Sequence, residues 1–206
     1  NSIETPANLE LDTDDDATGE VFDSKTVTIN AGATELSSAA NQTFTVGAGV
    51  TAIQDMTLSY KAGTPAITAA NDIRIKIPST FDMEWYTADT TASISGTGSG
   101  KVSTTVSYPD NKTLLIDVTT NFANTDAITI SGLSFNNFNS VEATDNLETY
   151  LEGGADATDD ATDVRTIATN AGTTSIASAS NQSFTVGDST TAIETITLTY
   201  LGGTPA

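Results

Sequence analysis

The heptapeptide Asn41-Gln42-Thr43-Phe44-Thr45-Val46-Gly47 returns as Asn181-Gln182-Ser183-Phe184-Thr185-Val186-Gly187, 140 positions later. The correspondence needs no insertion from residue 26 to 66. Asn30-Ala31-Gly32 matches Asn170-Ala171-Gly172, Met56-Thr57-Leu58-Ser59-Tyr60 matches Ile196-Thr197-Leu198-Thr199-Tyr200, and Gly63-Thr64-Pro65-Ala66 matches Gly203-Thr204-Pro205-Ala206. Repetition is the strongest constraint here, because a duplicated stretch meets the same local rules twice and must be accommodated as a repeated unit. A period of about 140 residues is domain-sized, so each unit can bury its own core. Short solenoid repeats, by contrast, need their neighbours. The expected division is the end of one repeat over 1–22, a complete repeat over 23–163 and the start of another over 164–206. Both ends then fall inside repeats, as in a segment of a longer array.

Within the unit the hydrophobic period is two. Val27 and Ile29 alternate with Thr26 and Thr28, Phe44 and Val46 with Thr43 and Thr45, and Ile73, Ile75 and Ile77 with Arg74 and Lys76. Such alternation predicts half-buried strands. Pro78 stops the isoleucine strand, since proline cannot donate to a ladder. Phe81, Met83 and Trp85 extend an apolar face. Val102 to Tyr108, the turn Pro109-Asp110-Asn111-Lys112 and Leu114 to Val118 predict a hairpin. After Ile128 and Ile130, Gly132 shifts the phase to Leu133 and Phe135, as a bulge does. About nine short strands with no helical stretch predict an all-β, antiparallel Ig-like β-sandwich in tandem repeats of about 140 residues.

Asp72-Ile73-Arg74-Ile75-Lys76-Ile77-Pro78-Ser79-Thr80-Phe81, then a Thr/Ser/Gly-rich hairpin, then Asp126-Ala127-Ile128-Thr129-Ile130-Ser131-Gly132-Leu133 resembles the Ig-like tandem repeats of very large bacterial and archaeal cell-surface proteins of adhesin or fibre type. The resemblance covers roughly residues 50–135. It implies an extracellular or surface-anchored protein in which such repeats serve as stalks, fibres, sheath components or adhesins. It brings no catalytic residues with it.

Composition narrows the classes of job. The net charge is −20, the opposite of the basic footprint that nucleic acid requires, and it also disfavours anionic membrane. No apolar run approaches a membrane span. The chain has no histidine and no cysteine, so the commonest general base and the commonest transition-metal ligand are missing. A non-catalytic structural module of a fibre, stalk, sheath or filament is the expectation, with copies of itself or adjacent repeats as partners. The alternative is an adhesive or carbohydrate-binding surface module with glycans as partners.

Three groups of residues are candidate sites. Asp12, Asp14 and Asp16, and the later Asp156, Asp159, Asp160 and Asp163, form acidic stretches taken as inter-repeat joints. Alternate carboxylates can gather the oxygen ligands that Ca2+ needs, which makes Ca2+ the one candidate cofactor. Gly19 lies too late for an EF-hand and Asp23 stands where its glutamate would be. The simpler reading is a solvated linker kept extended by like charges. Asn41, Asn111 and Asn181 open N-glycosylation sequons. Trp85 and Tyr86, beside Glu84, form the one dense aromatic cluster, a candidate platform for sugar stacking; a lone Trp between strands is more simply core.

The ends carry a further expectation. Residues 166–206 supply equivalents of 26–66 and residues 1–22 those of the closing strand, but equivalents of roughly 67–140 have no second copy. Part of the apolar face in the last segment is therefore expected to lack cover. Covalent continuation into further repeats is the expected completion, and strand donation from another chain the alternative.

Overall fold

The computed structural model describes residues 4–11, 21–29, 33–61, 65–151 and 159–200. In chain order its strands are β1 (Glu4–Leu11), β2 (Val21–Ile29), β3 (Glu35–Ser38), β4 (Gln42–Thr45), β5 (Thr51–Ala52), β6 (Met56–Ser59), β7 (Ile73–Lys76), β8 (Glu84–Trp85), β9 (Ser93–Ser95), β10 (Val102–Asp110), β11 (Thr113–Val118), β12 (Ala127–Ser131), β13 (Ser134–Asn136), β14 (Glu142–Tyr150), β15 (Ala161–Asn170), β16 (Ser175–Ser178) and β17 (Ile196–Thr199). A single 3-10 turn at Ser99–Lys101 is the only helical element among the described residues.

The fold is all-β and mostly antiparallel. One sheet runs β10-β11-β7-β14-β15-β3-β6-β12-β9, with β4 also on β15. Its two ends nearly meet. The chain that forms β9 pairs first with β10: the Ala92 amide donates to the Thr104 carbonyl (2.9 Å) and the Val106 amide to that of Thr90 (3.0 Å). The result is a nearly closed, barrel-like sheet, where the alternation alone suggested two packed sheets. Closure removes most of the unpaired edge that an open sheet would present. A three-stranded sheet, β5-β13-β8, and two separate hairpins, β1-β2 and β16-β17, complete the described strands.

The alternating residues form the core. Ile73, Ile75 and Ile77 of the β7 segment are buried, as are Leu114, Ile116 and Val118 of β11 and Ile128 and Ile130 of β12. Each such side chain contributes roughly 1.5–3 kcal/mol relative to leaving it exposed. Aromatic rings knit the layer under β4. Phe44 stacks on Phe138 (centroids 5.0 Å) and meets Phe135 edge-on (5.5 Å). The expected 102–118 hairpin forms, closing at the pair Asp110–Thr113; the Asp110 carboxylate accepts from the Lys112 amide and the Thr113 hydroxyl. Gly132 sits at φ +79°. Only glycine adopts that conformation cheaply, and there the chain leaves β12 for β13 in the second sheet.

Two tyrosines report on this packing. Tyr108 donates to the Asp89 carbonyl and Tyr150 to the Glu148 carboxylate. Burial, followed by the Asp89 charge, pushes Tyr108 up to about 12. Burial, followed by the Glu148 hydrogen bond and nearby carboxylates, pushes Tyr150 up to about 12. Both folded-state values exceed the ordinary 10. Their stabilisation is therefore complete below pH 10 and is lost as pH rises through about 12. Alkaline titration followed by phenolate absorbance should show two of the five tyrosines ionising near pH 12. Tyr108→Phe and Tyr150→Phe should each remove one late transition.

Candidate interaction surface

Among the described residues, two strand pairings recur with the same register. β14 pairs with β15 through Glu142–Thr169, Asp145–Ile167, Asn146–Thr166, Glu148–Thr162 and Thr149–Ala161. β1 pairs with β2 through Glu4–Ile29, Ala7–Val27, Asn8–Thr26, Glu10–Phe22 and Leu11–Val21. These are the same five pairs, shifted by 138 positions on the first strand and 140 on the second. In the complete unit Asn146 locks this register by donating to the carbonyls of Asp163 (2.8 Å) and Arg165 (3.1 Å). Asn8 is its counterpart in sequence.

β15 does more than close a hairpin. It also runs parallel to β4, pairing Ile167 with Gln42, Ala168 with Thr43, Thr169 with Phe44 and Asn170 with Thr45. It touches β3 at Asp163–Leu36. The Asp163 side chain is 2% exposed. Its carboxylate accepts from the Ser38 amide (2.8 Å), the Ser38 hydroxyl (2.5 Å) and the Arg165 amide (2.9 Å). A buried carboxylate is costly unless donors surround it; here the two Ser38 donors fix β15 against β3, and the third, the Arg165 amide, lies within β15 itself. The boundaries expected at 22/23 and 163/164 thus fall inside β2 and β15.

The second copy of β3 and β6 is β16 and β17. Leu36–Leu58 and Ser38–Met56 return as Ile176–Leu198 and Ser178–Ile196. Finer details repeat as well. Gln42 accepts from the Gln54 amide and Gln182 from the Glu194 amide, both at 2.7 Å, and Gly47 and Gly187 both take positive φ. The surroundings do not repeat. Leu58 is 0% exposed and Leu198 70%; Phe44 is 5% exposed and Phe184 57%. Val186, Ile193 and Ile196 are likewise bare while Val46, Ile53 and Met56 are core. Residues 182–185 are not a strand, whereas β4 is, because the partner that makes β4 a strand is β15. The sequence match alone maps each bare residue onto a core residue. It does not reveal which strand covers it.

The remaining candidate residues are placed as follows. Asp12, Asp14, Asp16 and Asp156 lie outside the described residues. Asp159 accepts from the Thr162 hydroxyl and Asp160 from the Leu151 amide, both within the β14–β15 hairpin, while Asp163 reaches across to Ser38 of β3. No group of three or more potential metal ligands occurs among the described residues. Asp159 and Asp160 directly precede β15 and Asp163 lies within it, on a strand that pairs with β14, where an extended joint between repeats was expected. Asn41 is exposed, with its side-chain oxygen accepting from the Thr166 amide. Asn111 is exposed in the β10–β11 turn and Asn181 is exposed. Trp85 is 1% exposed; it packs edge-on to Phe135 (4.7 Å) and donates to the Lys112 carbonyl (3.1 Å). A stacking platform needs an open ring face, which Trp85 lacks, and its neighbour Tyr86 is only half-buried. The two do not form a shared aromatic surface. Comparison with known protein families, with curated proteins and with solved structures finds no match to this chain.

Proposed function

We propose that this chain is a non-catalytic structural module of an extracellular fibre, stalk, sheath or filament. Its units are Ig-like repeats of about 140 residues, each running from about 33 to 170. The observation that carries the reading is the repetition of pairing: β1–β2 matches β14–β15, and β3–β6 matches β16–β17, pair for pair. A unit so defined begins with β3 and ends with β15. Its link to the next unit is then Ala171-Gly172-Thr173-Thr174, only four residues before β16. A linker that short leaves successive units little room to separate. The strong acidity supports the same reading, since like-charged units stay soluble and resist lateral clumping.

Electron microscopy of the native material tests this. The expected image is a filament of beads spaced roughly 4 nm apart, the size of a compact unit of this length. Discrete globular particles with no repeat along an axis would overturn it.

A further inference from the structure

We propose that Asn41 carries an N-linked glycan, and that its repeat equivalent Asn181 carries another, so that the modification recurs at an interval of 140 residues. The inference rests on the extracellular reading above and adds a covalent modification to it. The heptapeptides 41–47 and 181–187 differ at one position, where Thr43 becomes Ser183. Those are the two residues that an Asn-X-Ser/Thr sequon accepts.

The fold presents this sequon outward. Asn41 directly precedes β4, and Gln42 and Phe44 are buried while Asn41 and Thr43 are exposed. In extended chain, residues two apart share a face, so the acceptor amide and the hydroxyl that a transferase reads stand together. Asn41 Oδ1 accepts from the Thr166 amide (3.1 Å). A backbone N–H can face only the oxygen end of a side-chain amide. That contact sets the orientation of the amide and leaves Nδ2 with no hydrogen bond to the described residues. Glycosylation at Nδ2 keeps the carbonyl, so the bond to Thr166 survives it. The Thr166 contact by itself asks only for an acceptor, which aspartate would also supply. It does not account for the hydroxyl retained two residues on.

The reaction is a group transfer. Nδ2 forms a bond to the anomeric carbon of an oligosaccharide carried on a polyprenyl diphosphate. The bond from that carbon to the diphosphate oxygen breaks, and the lipid diphosphate leaves with the electron pair. A base of the host's oligosaccharyltransferase takes one amide proton.

The sequon at Asn111 differs in its folding. Thr113 is 3% exposed and its hydroxyl donates to the Asp110 carboxylate (3.0 Å). That turn belongs to the β10–β11 hairpin, which is backed by β7, a strand already made. Hairpins form in about 1–10 μs, so the Thr113 hydroxyl is withdrawn as soon as its strand exists. Residues 42–45 pair with β15, and Asn41 waits for a partner 125 residues further on. Synthesis at about 5–20 residues per second leaves Asn41 open to a transferase for roughly 6–25 s.

Peptide mass spectrometry of the native protein tests the assignment. Peptides holding Asn41 and Asn181 should carry a saccharide mass, and the peptide holding Asn111 should not. In the native host, Thr43→Ser should keep the modification at Asn41. Asn41→Gln and Thr43→Val should each abolish it there and leave Asn181 modified. Thr43 is exposed, so Thr43→Val should still melt cooperatively, which separates a lost glycan from a lost fold. An unmodified Asn41 in the native protein would overturn the proposal. So would a saccharide that persists in Asn41→Gln, which would then be linked to a hydroxyl, or equal occupancy of Asn41 and Asn111. Filaments built of unmodified protein would still support the fibre reading, whereas modified protein that forms no filaments would sink that reading and keep the site.

Discussion

A fragment spanning residues 33–170 should melt in one cooperative transition with a β-type circular dichroism spectrum, and a fragment ending at Asp160 should not fold. This is the largest effect the structure implies, and it follows from β15. Removing residues 161–170 uncovers β14 on one side and β4 on the other. It takes Ile167, Ala168 and Thr169 out of the buried set and strips the carboxylate from Ser38. Ten residues of ladder and their apolar cover exceed the net stability of about 5–15 kcal/mol typical of a domain. A fragment covering 23–163, the division that the sequence repeat suggests, keeps Asp163 but loses most of β15, and should be severely destabilised. An equally cooperative melt for 33–160 would show that β15 is dispensable.

The second large effect is expected at Asp163. Asp163→Ala should lower stability by about 3 kcal/mol, because the buried Ser38 amide and hydroxyl lose their acceptor and an unsatisfied buried donor costs roughly 1–3 kcal/mol. For a unit of this size that corresponds to about 6–12 °C in Tm. Asp163→Asn keeps one acceptor oxygen and should cost less. Thermal melts with added Ca2+ and with chelator separate the structural role from a ligand role. The loss should be the same in both, and a defect seen only with Ca2+ present would reassign Asp163 to metal.

Asp163 also shows where the sequence becomes hard to read. In Asp163-Val164 the pattern rule points valine inward and aspartate outward, yet Asp163 is 2% exposed and Val164 55%. The inversion is fixed by Ser38, 125 residues away, and no local window contains that partner. The strands from Ile73 to Ile130 were legible because their apolar residues alternate cleanly and each faces the core. The closing strand was not, since its pattern is broken by a polar contact and its pairing with β4 is parallel and distant. The same gap explains the acidic stretches. They look like linkers by composition, but Asp159 and Asp160 bond within the β14–β15 hairpin and Asp163 is buried inside β15. Trp85 was legible as either core or ligand platform, and the packing of Phe135 against its ring decides in favour of core.

The parallel placement of β15 beside β4 determines how a unit carries tension. If the polypeptide is pulled at residue 33 and at residue 170, the load runs along the strands in opposite directions. β3 is drawn toward its start and β15 toward its end. The four pairs from Ile167–Gln42 to Asn170–Thr45 and the Asp163–Ser38 bonds then bear the force together in shear. They cannot be peeled apart one at a time. Rupture requires them to fail together, which raises the barrier that governs forced unfolding. The strand that closes the sheet is thereby also its mechanical clamp.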